Sequence, residues 1–136
     1  MDKIQHKSKV YAYYFDVTKT KPGLSFFSND EDFIQIGIWN YKAKKLLPAH
    51  FHKEFAREST RTCESIFVVK GEVLCNIYTK SGIKVSTFTL KKNQMAVQLY
   101  GVHEYKILKN SIVIETKNGP YFGPKIDRKR VNVKKN

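Results

Sequence analysis

Cysteine is scarce in this chain of 136 residues, with only Cys63 and Cys75 present. The two have no C-x-x-C spacing of the kind that holds a thiolate-bound metal, and two make a poor disulfide framework. A reduced, cytosolic protein is the simplest expectation. Long apolar runs are missing as well: no stretch approaches the ~20 residues that a membrane-spanning helix needs. The start, MDKIQHKSKVYAYYF, carries charges but no apolar core followed by a small-residue cleavage site, so no export signal is expected. Acidic residues are few, 12 against 25 lysines and arginines, which leaves a net charge of +13. Such a balance can mark a nucleic-acid or membrane-surface binder. Here the arginines are confined to Arg57, Arg61, Arg128 and Arg130, the lysines are spread along the whole chain, and no nucleic-acid motif accompanies them. A Lys-, Asn- and Ile-rich composition is also what an AT-rich coding sequence produces. A nucleic-acid role therefore ranks last, while a positive field suits a phosphorylated or carboxylated small molecule.

What is present is ordinary globular material. The apolar and aromatic contents, 41% and 13%, are enough for a core, and the length is that of one domain. From residue 33 onward the chain is a succession of short β-rich runs: FIQIGIW (33–39), LLPAHFH (46–52), then ESIFVVKGEVLCNIYTKSGIKVSTFTL (64–90). The last of these reads as three strands, with tight turns at Lys70-Gly71 and at TKSG (79–82). QMAVQLYGVHEYKIL and SIVIETKNG supply the remaining strands. No window keeps a helical period for long, so an antiparallel sandwich or barrel is expected. VYAYYF and LSFF read as edge strands within an N-terminal arm (1–32), followed by the barrel (33–123) and a basic tail (124–136).

His50 and His52 stand at i and i+2, so on a strand they point to one face and can chelate one ion. Further ligands must come from other strands. Glu64 heads an apolar, interior-looking strand, where a carboxylate is costly unless paired or metal-bound. His103 follows Tyr100-Gly101, where glycine lets the backbone turn it inward. Three histidines and a carboxylate suit Mn, Fe, Co, Ni or Zn with one or two open positions.

PAHFH…ESIFVVKGEV, followed by LKKNQMAVQLYGVHEY, resembles the two motifs of the cupin superfamily, H-x-H…E…G and a turn leading to a single histidine. The likeness covers about Phe33 to Phe122. Through TRTCESIFVVKGEV, YGVHEYKIL and IETKNGPYFG it extends to small single-domain cupins, some associated with surface-polysaccharide or nucleotide-sugar pathways. The resemblance implies a single-domain jelly-roll β-barrel with His50, His52, Glu64 and His103 holding one divalent transition metal ion. Two departures stand out. Eleven residues separate His52 from Glu64, which brings Glu54 and Glu58 into competition and makes ARESTRT a predicted extension of the Glu64 strand. KKNQ (91–94) replaces the usual Gly-Asp turn, with Asn93 able to take the same positive φ.

Around these ligands, Arg57 and Arg61 are candidates to clamp a phosphate or carboxylate. Thr62 and Thr60 share the face of Glu64 on the extended strand, and Thr62 is a candidate second partner for its carboxylate. Tyr41, Gln98, Tyr100 and Tyr105 flank the ligands and are candidates to line the mouth. Glu115 and Lys117 share a strand face and can pair. A homodimer is expected, with VYAYYF as the pairing strand. The expected function is a metal-binding cupin acting on a small anionic or carbohydrate-derived molecule by isomerase-, epimerase- or oxygenase-like chemistry. A metal-free sugar isomerase using His50 or His103 as acid–base groups, or a non-catalytic binding module, are the alternatives.

Overall fold

The computed structural model describes residues 1–133 and is nearly all-β. Eight strands follow one another: β1 (Asp2–His6), β2 (Lys9–Asp16), β3 (Gly23–Phe26), β4 (Gly37–Asn40), β5 (Glu64–Tyr78), β6 (Lys84–Lys91), β7 (Gln94–Gln98) and β8 (Val102–Lys117). One helical turn, α1 (Pro124–Asp127), lies in the basic C-terminal stretch, whose residues 134–136 fall outside the described residues. No helix among the described residues is long and apolar enough to cross a membrane. The main sheet is antiparallel and runs β1-β2-β7-β5-β6, with β8 paired to β5 as well. A separate two-stranded sheet joins β3 and β4.

VYAYYF is not an edge strand. β2 lies between β1 and β7, so both of its edges are already paired. It is apolar on both faces, which fits a strand covered on both sides by core clusters. Tyr13 and Phe15 pack outward with Val97, Leu99 and Cys63 beneath the 27–38 segment, where Phe15 stacks on Phe27 at 4.3 Å. Tyr14 points the other way and stacks on Phe88, against the cluster of Ile66, Val68, Val73, Cys75, Leu90 and Ala96.

β5 and β8 position the site. Residues 64–90 form two strands rather than the expected three, because the chain continues through Lys70-Gly71 instead of turning back. Three register shifts between Val68 and Val73 bend β5 against β8. Gly71 sits at φ 96°, and a Cβ there would lie 2.6 Å from the Asn110 carbonyl oxygen and collide with the Ser111 hydroxyl. Ser111 fills that space and accepts the Glu72 N–H at 3.1 Å. The bend closes the two-stranded ribbon on itself. His103 pairs with Ile77 and Glu64 with Lys117. A flat ribbon at about 3.3 Å per residue would hold these two registers roughly 40 Å apart. The His103 and Glu64 side chains nonetheless meet at 3.0 Å, so the sheet curls into a half-barrel.

Two turns follow the sequence expectation. Thr79–Ile83 closes with Thr79 N–H donating to Ile83 O at 2.8 Å, and Asn93 adopts φ 67° between β6 and β7. The segment LLPAHFH is not a strand. Residues 41–63 are irregular and almost wholly exposed, with Phe51 84% and Leu46 78% accessible. Pro48 lacks an N–H for a ladder, and no neighbouring strand pairs with the segment.

Candidate functional site

Curling places Glu64, the first residue of β5, beside His103, the second residue of β8. The Glu64 Oε1 lies 3.0 Å from His103 Nε2 and accepts the Tyr105 O–H at 3.1 Å. The carboxylate side chain is 13% accessible and the imidazole 35%, so the acid is held inside and the base faces the opening. His103 and Tyr105 stack at 5.0 Å between ring centres, which fixes the plane of the imidazole. Tyr105 in turn packs against the Cys75 and Val73 core cluster.

Burial works to raise the Glu64 carboxyl. It is outweighed by the hydrogen bond and charge of His103, by the Tyr105 hydroxyl and by Lys117, and the group lies below the usual carboxylate range. Burial and the facing Glu64 carboxylate push the Tyr105 hydroxyl up, so it remains a donor at neutral pH. Across the β5–β7 ladder Gln98 faces Glu64 directly, so the two side chains share the inner face of the sheet. Gln98 is buried; its amide nitrogen donates to Tyr100 O, and its Oε1 has no partner among the described residues. A buried acceptor without a donor is costly, so it calls for a water or a ligand hydroxyl.

The mouth opens into a cleft of about 1120 Å³ between these residues and the 118–133 segment, lined by Arg61, Thr62, Lys117 and Tyr121 among others. Asn118 anchors one end of that segment. Its Oδ1 accepts the Cys63 N–H at 2.7 Å, its N–H donates to Cys63 O, and its amide nitrogen donates to Ser59 Oγ at 2.7 Å. The sequence marked NGPYFGP (118–124) as an abrupt end to the preceding strand, but not the side-chain role of Asn118. The expected Glu115–Lys117 pair is present at 2.6 Å.

The predicted ligands divide into two groups. Glu64 and His103 are together. His50 and His52 lie in the exposed 41–63 segment, their rings 5.3 Å apart, with His50 Nδ1 3.0 Å from Pro48 O. Glu54 and Glu58 are exposed in the same segment. Among the described residues no group of three or more His, Cys, Asp and Glu side chains is arranged to hold a metal ion. As placed, Glu64 and His103 offer two donors that satisfy each other, so the four-ligand set is not assembled. ARESTRT is irregular rather than a continuation of β5, so Thr60, Thr62 and Glu64 share no strand face. Arg57 covers the Phe55 ring at 3.7 Å. Arg61 reaches the site, donating from Nε to Leu99 O at 3.0 Å. Tyr100 lies in the turn before β8, half-buried.

No family model, curated protein or solved structure matches this chain.

Proposed function

We propose that this chain is a small cupin-type jelly-roll protein with an acid–base site, acting as an isomerase or epimerase on a carbohydrate-derived or anionic small molecule. The antiparallel curled sheet, the bend at Gly71 and the positive-φ turn at Asn93 support the cupin part of the reading. The Glu64–His103 contact, with Tyr105 on the same carboxylate oxygen, carries the chemical part. An imidazole oriented by a carboxylate is a general base near neutral pH, and the carboxylate stabilises the imidazolium that forms. His103 takes a proton from the carbon next to a substrate carbonyl, and the C–H electron pair moves toward the carbonyl oxygen. Return of the proton to the neighbouring carbon gives an isomer, and return to the opposite face of the same carbon gives an epimer. Neither outcome needs an oxidant. Arg61 and Lys117 offer positive charge at the cleft.

Deuterium wash-in next to the carbonyl tests this, using a panel of keto sugars, free and as nucleoside-diphosphate esters, followed by proton NMR. The parent protein exchanges at least one of them, and His103→Gln slows that exchange by about 100-fold or more. Exchange that survives His103→Gln unchanged contradicts the assignment.

Metal binding by His50, His52, Glu64 and His103 is a second reading, favoured by the proximity of the two exposed imidazoles. It requires the 41–63 segment to carry them to the cleft. One equivalent of Mn, Fe, Co, Ni or Zn in protein purified without chelator, lost in His50→Ala/His103→Ala, supports it.

A further inference from the structure

Three cations converge on Tyr100. Lys9 Nζ lies 4.4 Å from the centre of its ring and Lys80 Nζ 5.2 Å; the Arg61 guanidinium carbon is 6.0 Å away and nearer the Phe33 ring, at 4.7 Å. They come from three separate places in the chain: the first residue of β2, the Thr79–Ile83 turn and the segment before β5. A ring has two faces, so at least two of the three cations share one. Tyr11 meets the ring edge-on at 5.3 Å, and a side chain at Gly101 would strike Tyr11, so the aromatic platform is fixed from below.

Attraction to a ring face favours each cation singly, but three like charges around one point repel each other. Among the described residues, no carboxylate forms an ion pair with any of the three; the pairs present are His103–Glu64, Lys109–Glu72 and Lys117–Glu115. Among the described residues no carboxylate neutralises the three, which leaves their charge for a bound anion. We infer that Lys9, Lys80 and Arg61 around Tyr100 form a binding site for a phosphoryl group of a small molecule, a dianionic monoester or a pyrophosphate.

Its chemistry separates it from a carboxylate site. A single carboxylate carries one negative charge against three positive ones, whereas a phosphoryl dianion or pyrophosphate comes closer to balance. Lysine ammonium groups meet phosphate oxygens as point charges. Arg61 donates from Nε to Leu99 O and lies over the Phe33 ring at 4.7 Å, so it is held in place and adds its charge at the edge of the site. Arg61 and Gly101 also border the cleft that holds Glu64 and His103, so a phosphoryl group here would leave the rest of the molecule at the acid–base pair. The placement of that remainder rests on the acid–base reading; the phosphoryl site itself does not.

Calorimetric titration of the full chain with inorganic pyrophosphate at low salt tests the inference. Three variants accompany the parent: Lys9→Ala/Lys80→Ala, His103→Gln, and Lys84→Ala/Lys92→Ala, which removes the same charge from exposed positions elsewhere. The expected result is saturable binding by the parent, weakened tenfold or more in Lys9→Ala/Lys80→Ala, with little change in the other two. No binding by the parent overturns the inference. Equal weakening in both lysine pairs also overturns it, because the ligand is then held by the diffuse field of the +13 chain. Pyrophosphate binding that persists in His103→Gln, where deuterium exchange fails in parent and variant alike, removes the acid–base reading and leaves the phosphoryl site standing. An oligothymidylate competing far better than pyrophosphate at the same two lysines assigns the site to single-stranded nucleic acid and overturns the small-molecule assignment.

Discussion

At the scale of single residues, the two cysteines and Glu64 show how burial acts on ionisable groups with and without partners. Cys75 is fully buried in the core, and burial alone pushes its thiol up to about 12. Cys63 is equally inaccessible, and burial raises it too, although Arg61 pulls in the opposite direction. Both thiols are thus held neutral and out of reach, and the thiolate is the reactive form. A thiol-specific reagent at pH 8 is expected to label neither cysteine in the native protein and both after denaturation. Rapid native labelling of either one contradicts its placement. Glu64 is different because partners outweigh its burial. Its candidacy was legible in the sequence from the apolar run it heads, and so was that of His103 from the glycine before it. The approach of Lys9 and Lys80 to Tyr100 was less accessible, since which side chains gather around that ring depends on how distant segments pack. Sequence spacing carries no trace of that.

At the scale of elements, Lys70-Gly71 is the informative case. A tight turn and a strand bulge both call for a glycine at positive φ, so the dipeptide alone cannot distinguish them. The distinction lies in the partner strand, where Ser111 and Asn110 crowd against the glycine. Gly71→Ala is expected to destabilise the protein by about 3 kcal/mol or more, through a strained backbone together with the collision. Ser111→Gly should not rescue it, because the Asn110 carbonyl still blocks the new methyl group. Denaturant unfolding of the single and double variants checks this, and a Gly71→Ala protein as stable as the parent would show that the bend is not there. β2 taught a related lesson. Its two apolar faces were visible in VYAYYF and mark a strand covered on both sides, but its position near the chain start invited an edge assignment. LLPAHFH failed in the opposite sense, since an alternating pattern makes a strand only where another strand offers it hydrogen bonds.

At the scale of the whole molecule, the half-barrel exists because one long ribbon doubles back, and the site exists because that closure brings the start of β5 to the start of β8. The class of fold was legible from β-rich runs and turn residues, whereas the closure was not, because it depends on register along β5 and β8. Closure also sets a pH dependence. A carboxyl lowered in the folded state stabilises the fold above its unfolded value of about 4.3, and that contribution is lost as the pH falls through the lower folded value. The most direct test of the account is therefore a carbon-13 NMR titration of the Glu64 carboxyl in the parent and in His103→Ala. A midpoint below the ordinary carboxylate value is expected in the parent, with a clear rise in the variant, where burial meets less opposition. An ordinary midpoint in the parent, or the same midpoint in both proteins, would mean that Glu64 and His103 do not meet.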